Sequence, residues 1–254
     1  MLFGLYHSSH GANAMAHRLD VIANNMANTD TAGFKRDLAI FQQSALSENL
    51  LAPNPENLQN HAGVVGIAET VTDYSNGGLE QTNGTLDIAL MGPGFLRLAP
   101  DADGNELLTR SGKLSINGVG RLVELTTGRE VMQPTDTPIG VPPNLSDIEI
   151  NQAGMVMGVD DRGIRIPLGQ LHLVQPDDFH NVEKIGENLY GVNGDLETAG
   201  PDLTVHQGFI ERSTVQPMME MLAMIETSRQ FEANMNMIQY QEQSLGQLLQ
   251  TMTR

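Results

Sequence analysis

Apolar side chains recur at alternating steps of three and four near the amino end of the chain. This heptad spacing keeps one stripe of a helix facing a partner helix. Gly4 and Gly11 weaken such a helix by about 1 kcal/mol each relative to Ala, so we expect it to need a partner. The positions of this N-terminal seam are Leu5, Ser8, Ala12, Met15, Leu19, Ile22 and Met26.

A second seam follows the carboxyl end. Ser213 or Thr214 can begin a helix there, and Pro217 suits its first turn. A helix over residues 216–254 would be roughly 55–60 Å long, which predicts that it projects beyond any domain of this size. Glu242 either sets the register, faces solvent or simply interrupts the stripe. The C-terminal seam comprises Met221, Met224, Ser228, Phe231, Met235, Ile238, Glu242, Leu245, Leu249 and Met252.

Between these ends, short apolar or alternating segments are separated by Gly, Asn and Asp. This pattern is typical of antiparallel strands, and it predicts hairpin turns at residues 101–105 and 117–120. Residues 36–69 contain two prolines and a polar stretch, and we expect them to form an irregular or partly mobile connection.

The predicted fold is therefore a mainly β, hairpin-rich antiparallel central module with N- and C-terminal α-helices that pair as a coiled-coil-like module. The domain arrangement is discontinuous. Its parts are a terminal helical module (1–30 and 214–254), an extended connecting segment (31–70) and a β-rich outer module (71–213).

Polar side chains crowd the end of the first predicted helix, in the stretch VIANNMANTDTAGFK. Asn24, Asn25 and Asn28 compete for helical hydrogen bonds, and Gly33 tolerates a positive φ. The stretch therefore predicts a helix C-terminus that passes into a strand or loop. The asparagines would bond either freed backbone groups of their own chain or those of a neighbouring subunit, and the two alternatives stay open.

Charge and composition exclude several classes of function. The formal net charge is −17 over 254 residues, and cysteine is absent. An acidic chain without a basic stripe repels phosphates, which argues against nucleic acid and anionic membranes as partners. No disulfide or thiolate metal site can form. We also expect no cleaved signal peptide and no membrane-spanning segment, since the chain begins without a basic region and lacks an apolar run of eighteen residues.

Candidate chemical sites are weak. Asp101, Asp103 and Asn105 alternate as in a calcium loop, but Gly104 stands at the fourth position where the motif needs it at the sixth, so a turn is favoured. His7, His10 and His17 lie at helical spacings that could hold a metal, but exposed helix histidines are the favoured interpretation. Asp177, Asp178 and His180 could act as an acid–base pair, but a solvated turn is the simpler interpretation. We therefore predict no enzyme activity, no metal and no cofactor.

Three separated motifs resemble those of the flagellar rod and hook proteins. The first runs through Leu19, Ile22, Ala23, Asn24, Asn25, Ala27, Asn28, Thr31, Gly33, Phe34 and Lys35. The central β segment is similar from residue 77 to 98 and from 107 to 132. The closing helix matches at Met221, Ile225, Arg229, Phe231, Glu232, Asn234 and Ile238.

The resemblance implies a structural subunit of the bacterial flagellar basal body, with length and final helix most similar to the proximal rod proteins, next the distal rod proteins and last a short hook protein. In this family the terminal helices pack with those of neighbouring subunits into a hollow helical axial structure that transmits torque and forms part of the export channel, with the β module outside. The implied partners are copies of the chain, other flagellar rod proteins and the export apparatus. The implied place is the rod spanning the periplasm. We expect the Met-rich ends to be disordered in the free subunit and to order on assembly.

Two alternatives of other classes stay open at this point. One is a secreted acidic β-rich binding module that captures a cationic ligand and does not need its terminal helices. The other is a hydrolase that uses Asp177, Asp178 and His180. The long C-terminal seam favours the rod subunit, because neither alternative requires a projecting helix.

Overall fold

The computed structural model describes residues 2–44, 64–194 and 196–252. It is mainly β with one helix near each end, which confirms the predicted fold class at that level. Helix α1 is Leu2–Ala27, and helix α2 is Pro217–Met252, about 54 Å long at 1.5 Å per residue. The chain divides into two compact units, a helical unit (Met1–Ala27, Arg36–Asp73, Val215–Arg254) and a β unit (Asn28–Lys35, Tyr74–Thr214).

The strands lie between the two helices in the sequence. They are β1 (Asp37–Ser44), β2 (Val64–Thr72), β3 (Leu79–Gln81), β4 (Ile88–Met91), β5 (Phe95–Leu98), β6 (Leu107–Thr109), β7 (Leu114–Ile116), β8 (Leu122–Glu124), β9 (Leu145–Ile150), β10 (Met155–Asp160), β11 (Arg165–Gln170), β12 (Leu173–Pro176), β13 (Val182–Gly186), β14 (Leu189–Val192), β15 (Leu196–Thr198), β16 (Thr204–Gln207) and β17 (Phe209–Glu211).

The helical unit holds α1, α2 and a two-stranded ribbon in which β1 and β2 pair antiparallel. Within the range 36–69, this ribbon corrects the expectation of an irregular or partly mobile connection for residues 37–44 and 64–69. Strand β1 alternates exposed Leu38 and Ile40 with less exposed neighbours, and the guanidinium of Arg18 on α1 lies 5.8 Å from the centre of the Phe41 ring. Its partner β2 lies far along the sequence, and the prolines between the two strands hid the pattern. Residues 45–63 lie outside the described part of the chain.

The β unit contains a six-stranded antiparallel sheet in the order β13-β14-β6-β5-β12-β15 and a three-stranded sheet in the order β11-β10-β9. The remaining pairs are β16-β4, β17-β3 and β7-β8. Strands β5 and β6 pair across residues 99–106, and β7 and β8 pair across residues 117–121. Both predicted hairpins are therefore confirmed.

Two apolar clusters fill the β unit. The larger one gathers Leu, Ile and Val side chains from most of its strands, among them the fully buried Ile88, Leu96, Leu98, Leu122 and Val156. The smaller one packs aromatic rings: the ring centres of Phe95 and Tyr190 lie 5.1 Å apart. This core is the frame that holds the segment following α1.

Candidate functional site

The two helices pack against each other in antiparallel directions. A methyl group added at Gly4 would lie 2.8 Å from Nε2 of Gln241, and one added at Gly11 would lie 3.3 Å from the amide atoms of Asn234. A step of seven residues forward on α1 is therefore a step of seven backward on α2. Glycine on one helix makes room for an amide side chain on the other, so this contact row is polar.

Buried or half-buried positions of α2 recur at alternating steps of four and three. Half of them are polar, and the row that carries Asn234 and Gln241 also includes the buried Glu220 and Thr227. The other half are apolar positions of the predicted seam, each half-buried. The complete stripe is Glu220, Met224, Thr227, Phe231, Asn234, Ile238, Gln241 and Leu245.

The rest of the predicted C-terminal seam lies one residue to the side of this stripe and is largely open to solvent. Met221 is 52 % exposed and Leu249 is 64 % exposed; Met235 and Glu242 are exposed as well, and Ser228 is half-buried. The side chain of Met252 lies outside the described residues. Near the start of α2, the exposed apolar surface also includes Met218, Leu222 and Ile225. We call Met218, Met221, Leu222, Ile225, Met235 and Leu249 the exposed row.

All members of the predicted N-terminal seam are at least half-buried within the subunit. Ala12 and Ile22 are buried. Leu5, Ser8, Met15, Leu19 and Met26 are half-buried. Among the side chains that the structure describes, α1 thus has much less exposed apolar surface than α2.

Asn25 binds the start of β1. Its Nδ2 donates to the carbonyl oxygen of Asp37 at 2.8 Å, and the Asp37 N–H donates to Oδ1 of Asn25 at 2.9 Å. The Asn25 side chain is 1 % exposed. Asn24 is exposed, and Asn28 accepts a hydrogen bond from Thr31 Oγ1 at 3.2 Å. The structure therefore supplies a partner for Asn25 within its own chain.

The segment after α1 enters the β unit at Gly33 and Phe34. Gly33 has φ +70°, and a methyl group there would lie 2.3 Å from the carbonyl oxygen of Arg110, so no other residue fits without moving the backbone. Its N–H donates to the carbonyl oxygen of Glu211 at 2.8 Å. The Lys184 ammonium lies 4.1 Å from the centre of the buried Phe34 ring. The Gly-Phe pair of the motif thus anchors the chain inside the β unit.

A buried cluster of three charges follows directly, and sequence reasoning did not predict it. The Nζ of Lys35 lies 2.6 Å from Oε1 of Glu211, and Nη1 of Arg110 lies 3.4 Å from Oε2 of the same carboxylate. All three side chains are at most 1 % exposed. Burial lowers the pKa of Arg110, and the neighbouring Glu211 carboxylate opposes that shift. Lys35 closes the motif, but its partner lies 176 residues away, and no local pattern joins them.

The weaker candidates are turns. Oδ1 of Asp101 accepts hydrogen bonds from the N–H groups of Asp103 and Asn105, and the side-chain bond from Asn105 is the main cause of a lowered pKa of Asp101. Asp178 caps a short 3₁₀ helix, and its pKa is lowered by the bond from the His180 N–H. Within the described residues, no group of three or more His, Cys, Asp or Glu side chains is placed to hold a metal ion.

No helix in the described part of the chain is long and apolar enough to cross a membrane.

Three family models match successive parts of the chain. They are "Flagella basal body rod protein" over residues 5–35, "Flagellar hook protein FlgE/F/G D1 domain" over residues 89–158, and "Flagellar basal body rod FlgEFG protein C-terminal" over residues 206–251. The first and third models cover most of α1 and α2, and the second covers the strands from β4 to β10.

Characterised relatives match nearly the whole chain. The flagellar basal-body rod protein FlgG of Buchnera aphidicola from Schizaphis graminum is 32 % identical, over 98 % of this chain and 100 % of its own length. The rod protein FlgF of Caulobacter vibrioides is 32 % identical, over 86 % of this chain and 85 % of its own. FlgG of Bacillus subtilis is 28 % identical, over 98 % of each.

Proposed function

Because the chain belongs to the flagellar basal-body rod protein family, we propose that it polymerises with copies of itself and with other rod proteins through its terminal helices. It is a structural subunit of the bacterial flagellar basal-body rod. The family is structural. Membership in it therefore favours the rod subunit over the acidic binding module that the sequence left as an alternative.

The exposed row of α2 carries the proposal. Each large apolar side chain that leaves water contributes roughly 1.5–3 kcal/mol, so six such side chains along one helix face make up a surface that favours association. The pairing of α1 and α2 leaves this surface uncovered, because the exposed row lies to one side of the stripe of α2 that is buried within the subunit. A neighbouring subunit is the occupant, and a head-to-tail contact whose rotation does not close yields a helical filament.

In this proposal the helices form a coiled-coil-like module (1–30 and 214–254) that builds the inner tube. The connecting segment (31–70) leads outward, and the β-rich module (71–213) makes lateral contacts. The tube transmits torque across the periplasm and forms part of the channel through which later subunits pass. The chain itself reaches the rod through the flagellar export apparatus.

The position along the rod has two candidates. The proximal position follows from the likeness of length and final helix to the proximal rod proteins. The distal position is favoured by the FlgG relatives, since FlgG of Buchnera aphidicola is matched over its full length whereas FlgF of Caulobacter vibrioides is matched over 85 %.

Complementation separates these positions. The full chain is expressed in two strains of one flagellated bacterium, one lacking FlgF and the other lacking FlgG. Swimming and complete basal bodies in electron micrographs are scored in each. We expect rescue of one strain, and the strain rescued assigns the position. Absence of the tagged chain from purified basal bodies in both strains would contradict the proposal.

A further inference from the structure

The backbone passes between the two compact units four times, after Ala27, Lys35, Asp73 and Thr214. The residues beside three of these passages lie in one place inside the β unit. They belong to the segment that ends at Lys35, to the segment that begins at Tyr74, and to the end of β17 at Glu211.

Short hydrogen bonds join these segments to one another. The Nζ of Lys35 donates to Oε1 of Glu211 at 2.6 Å and to the carbonyl oxygen of Ser75 at 2.7 Å. The N–H of Gly77 donates to the same carboxylate oxygen at 2.7 Å. The backbone adds a bond at 3.0 Å from the Thr214 N–H to the carbonyl oxygen of Phe34. One ammonium and one carboxylate therefore tie together three passages of the chain.

Arg110 links this hydrogen-bonded cluster to the interior of the β unit. Its Nη1 faces Oε2 of Glu211 at 3.4 Å, and its Nη2 donates to the carbonyl oxygen of Gly92 at 2.7 Å. The guanidinium carbon lies 5.3 Å from the centre of the Phe95 ring, in the aromatic cluster. Since no member of the cluster is more than 1 % exposed, water does not replace a partner when one contact stretches. Breaking one contact therefore leaves a buried charge without a partner, which disfavours the loss of one contact alone.

We propose that Lys35, Glu211 and Arg110 form a mechanical clamp at the root of the β unit. The clamp makes the incoming and outgoing backbone segments bear force as one body. Tension or torque that arrives through the segment after α1 or through the segment before α2 passes by way of Glu211 and Arg110 into the sheet core. Neither segment is then peeled away alone. This inference rests on the proposed rod function, because only a subunit under load needs such a joint.

Single-molecule pulling of the full chain by its two ends tests the clamp. In the unaltered chain we expect a high-force rupture when the segments that carry Lys35 and Glu211 separate. Lys35→Met removes the ammonium, and we expect loss of that high-force event. Glu211→Gln keeps the size of the side chain, but it exchanges one acceptor oxygen for an NH2 donor and removes the negative charge that Lys35 and Arg110 face, so we expect a downward shift of the event. Arg121→Met, which breaks the exposed Arg121–Glu130 pair, is the matched control and is expected to leave the event unchanged.

A second pulling direction separates a clamp from a merely stabilising cluster. Because the chain has no cysteine, Val119→Cys and Ile164→Cys supply handles on exposed positions of the β unit, in the β7–β8 and β10–β11 turns, outside the three passages. Along this path we expect the Lys35→Met variant to rupture at the same force as the unaltered chain. Equal weakening in both directions, or none in either, would overturn the clamp. If Lys35→Met does not fold, Glu211→Gln decides by the same comparison.

Rod assembly and swimming in cells test the clamp and the proposed function separately. If the unaltered chain enters basal bodies and swimming in viscous medium is the same with Glu211→Gln, then the clamp is wrong and the rod assignment stands. If the unaltered chain never enters basal bodies, the rod assignment fails whatever the pulling shows. We expect Glu211→Gln rods to assemble and to lose swimming speed as viscosity rises.

Discussion

The side-chain amide of Asn25 satisfies both backbone polar groups of Asp37, accepting from its N–H at 2.9 Å and donating to its carbonyl oxygen at 2.8 Å. One asparagine thus fixes the first residue of β1 against the last turns of α1. Such a bridge needs a donor and an acceptor on one short side chain, which Asn provides.

Asn25→Ala should destabilise the helical unit. Both groups of Asp37 lose a partner, and a buried polar group left unsatisfied costs roughly 1–3 kcal/mol. The measurement is thermal unfolding of the full chain by circular dichroism at a helix wavelength. Asn13→Ala, at an exposed position of α1, is the control and should change little. If both variants melt together, the bridge contributes nothing within the subunit. A rod-assembly defect without a change in melting would then restore the alternative of a neighbouring subunit as the partner.

Gly33→Ala should lower the free energy of unfolding by more than the strain of a left-handed alanine accounts for. A left-handed backbone costs an alanine roughly 1–2 kcal/mol, and here the added methyl group also meets the Arg110 carbonyl oxygen at 2.3 Å. Gly163→Ala is a matched control: its φ is +76°, and the added methyl group meets nothing within 4 Å. Denaturant unfolding of both variants measures how much more free energy of unfolding Gly33→Ala loses than Gly163→Ala. Equal losses would show that the close approach to Arg110 has no energetic weight.

Gly11→Leu should weaken the packing of α1 on α2, since overfilling a packed contact costs roughly 1–3 kcal/mol. The opposing residue is Asn234, so Asn234→Ala in the same chain should recover part of the loss. A double-mutant cycle on thermal unfolding measures that coupling. Ser9→Leu, at an exposed position of α1, controls for added apolar surface. Strict additivity of the two substitutions would mean that the residues do not meet.

Charges placed on the exposed row should block polymerisation and leave the subunit intact. Met221→Glu with Met235→Glu puts two carboxylates where neighbouring subunits are proposed to bury apolar surface, and an unpaired charge resists burial. Met237→Glu lies on another exposed face of α2 and should assemble normally. Basal bodies are counted in micrographs, and thermal unfolding of each subunit is compared. Normal rods from the double variant would refute the exposed row as an interface.

The sequence predicted the two helices and the hairpins because their signals are local. Heptad spacing marks α1 and α2, and turn residues mark the hairpins at 101–105 and 117–120. It did not predict which stripe of α2 meets α1. Asn234 and Gln241 have no apolar signature, and only the matching glycines of α1 explain their place.

The buried charges were missed for a different physical reason. Glu211 lies 176 residues from Lys35 and 101 from Arg110, so nothing in a window of neighbouring residues relates them. Charged residues are also expected at the surface unless they are paired, and the pairing is visible only once the chain is folded. The motif that ends at Lys35 was the one available signal.

The pairing of Gly4 with Gln241 also determines when the two helices can pack during folding. A chain that appears amino end first, whether from a ribosome or from a narrow pore, offers α1 long before its partner exists. Gln241 follows the whole β unit in the sequence, so this contact closes only after that unit has emerged, whereas the hairpins of the β unit close locally. The helix that carries the exposed row is therefore completed after the β unit, which can already be folded by then.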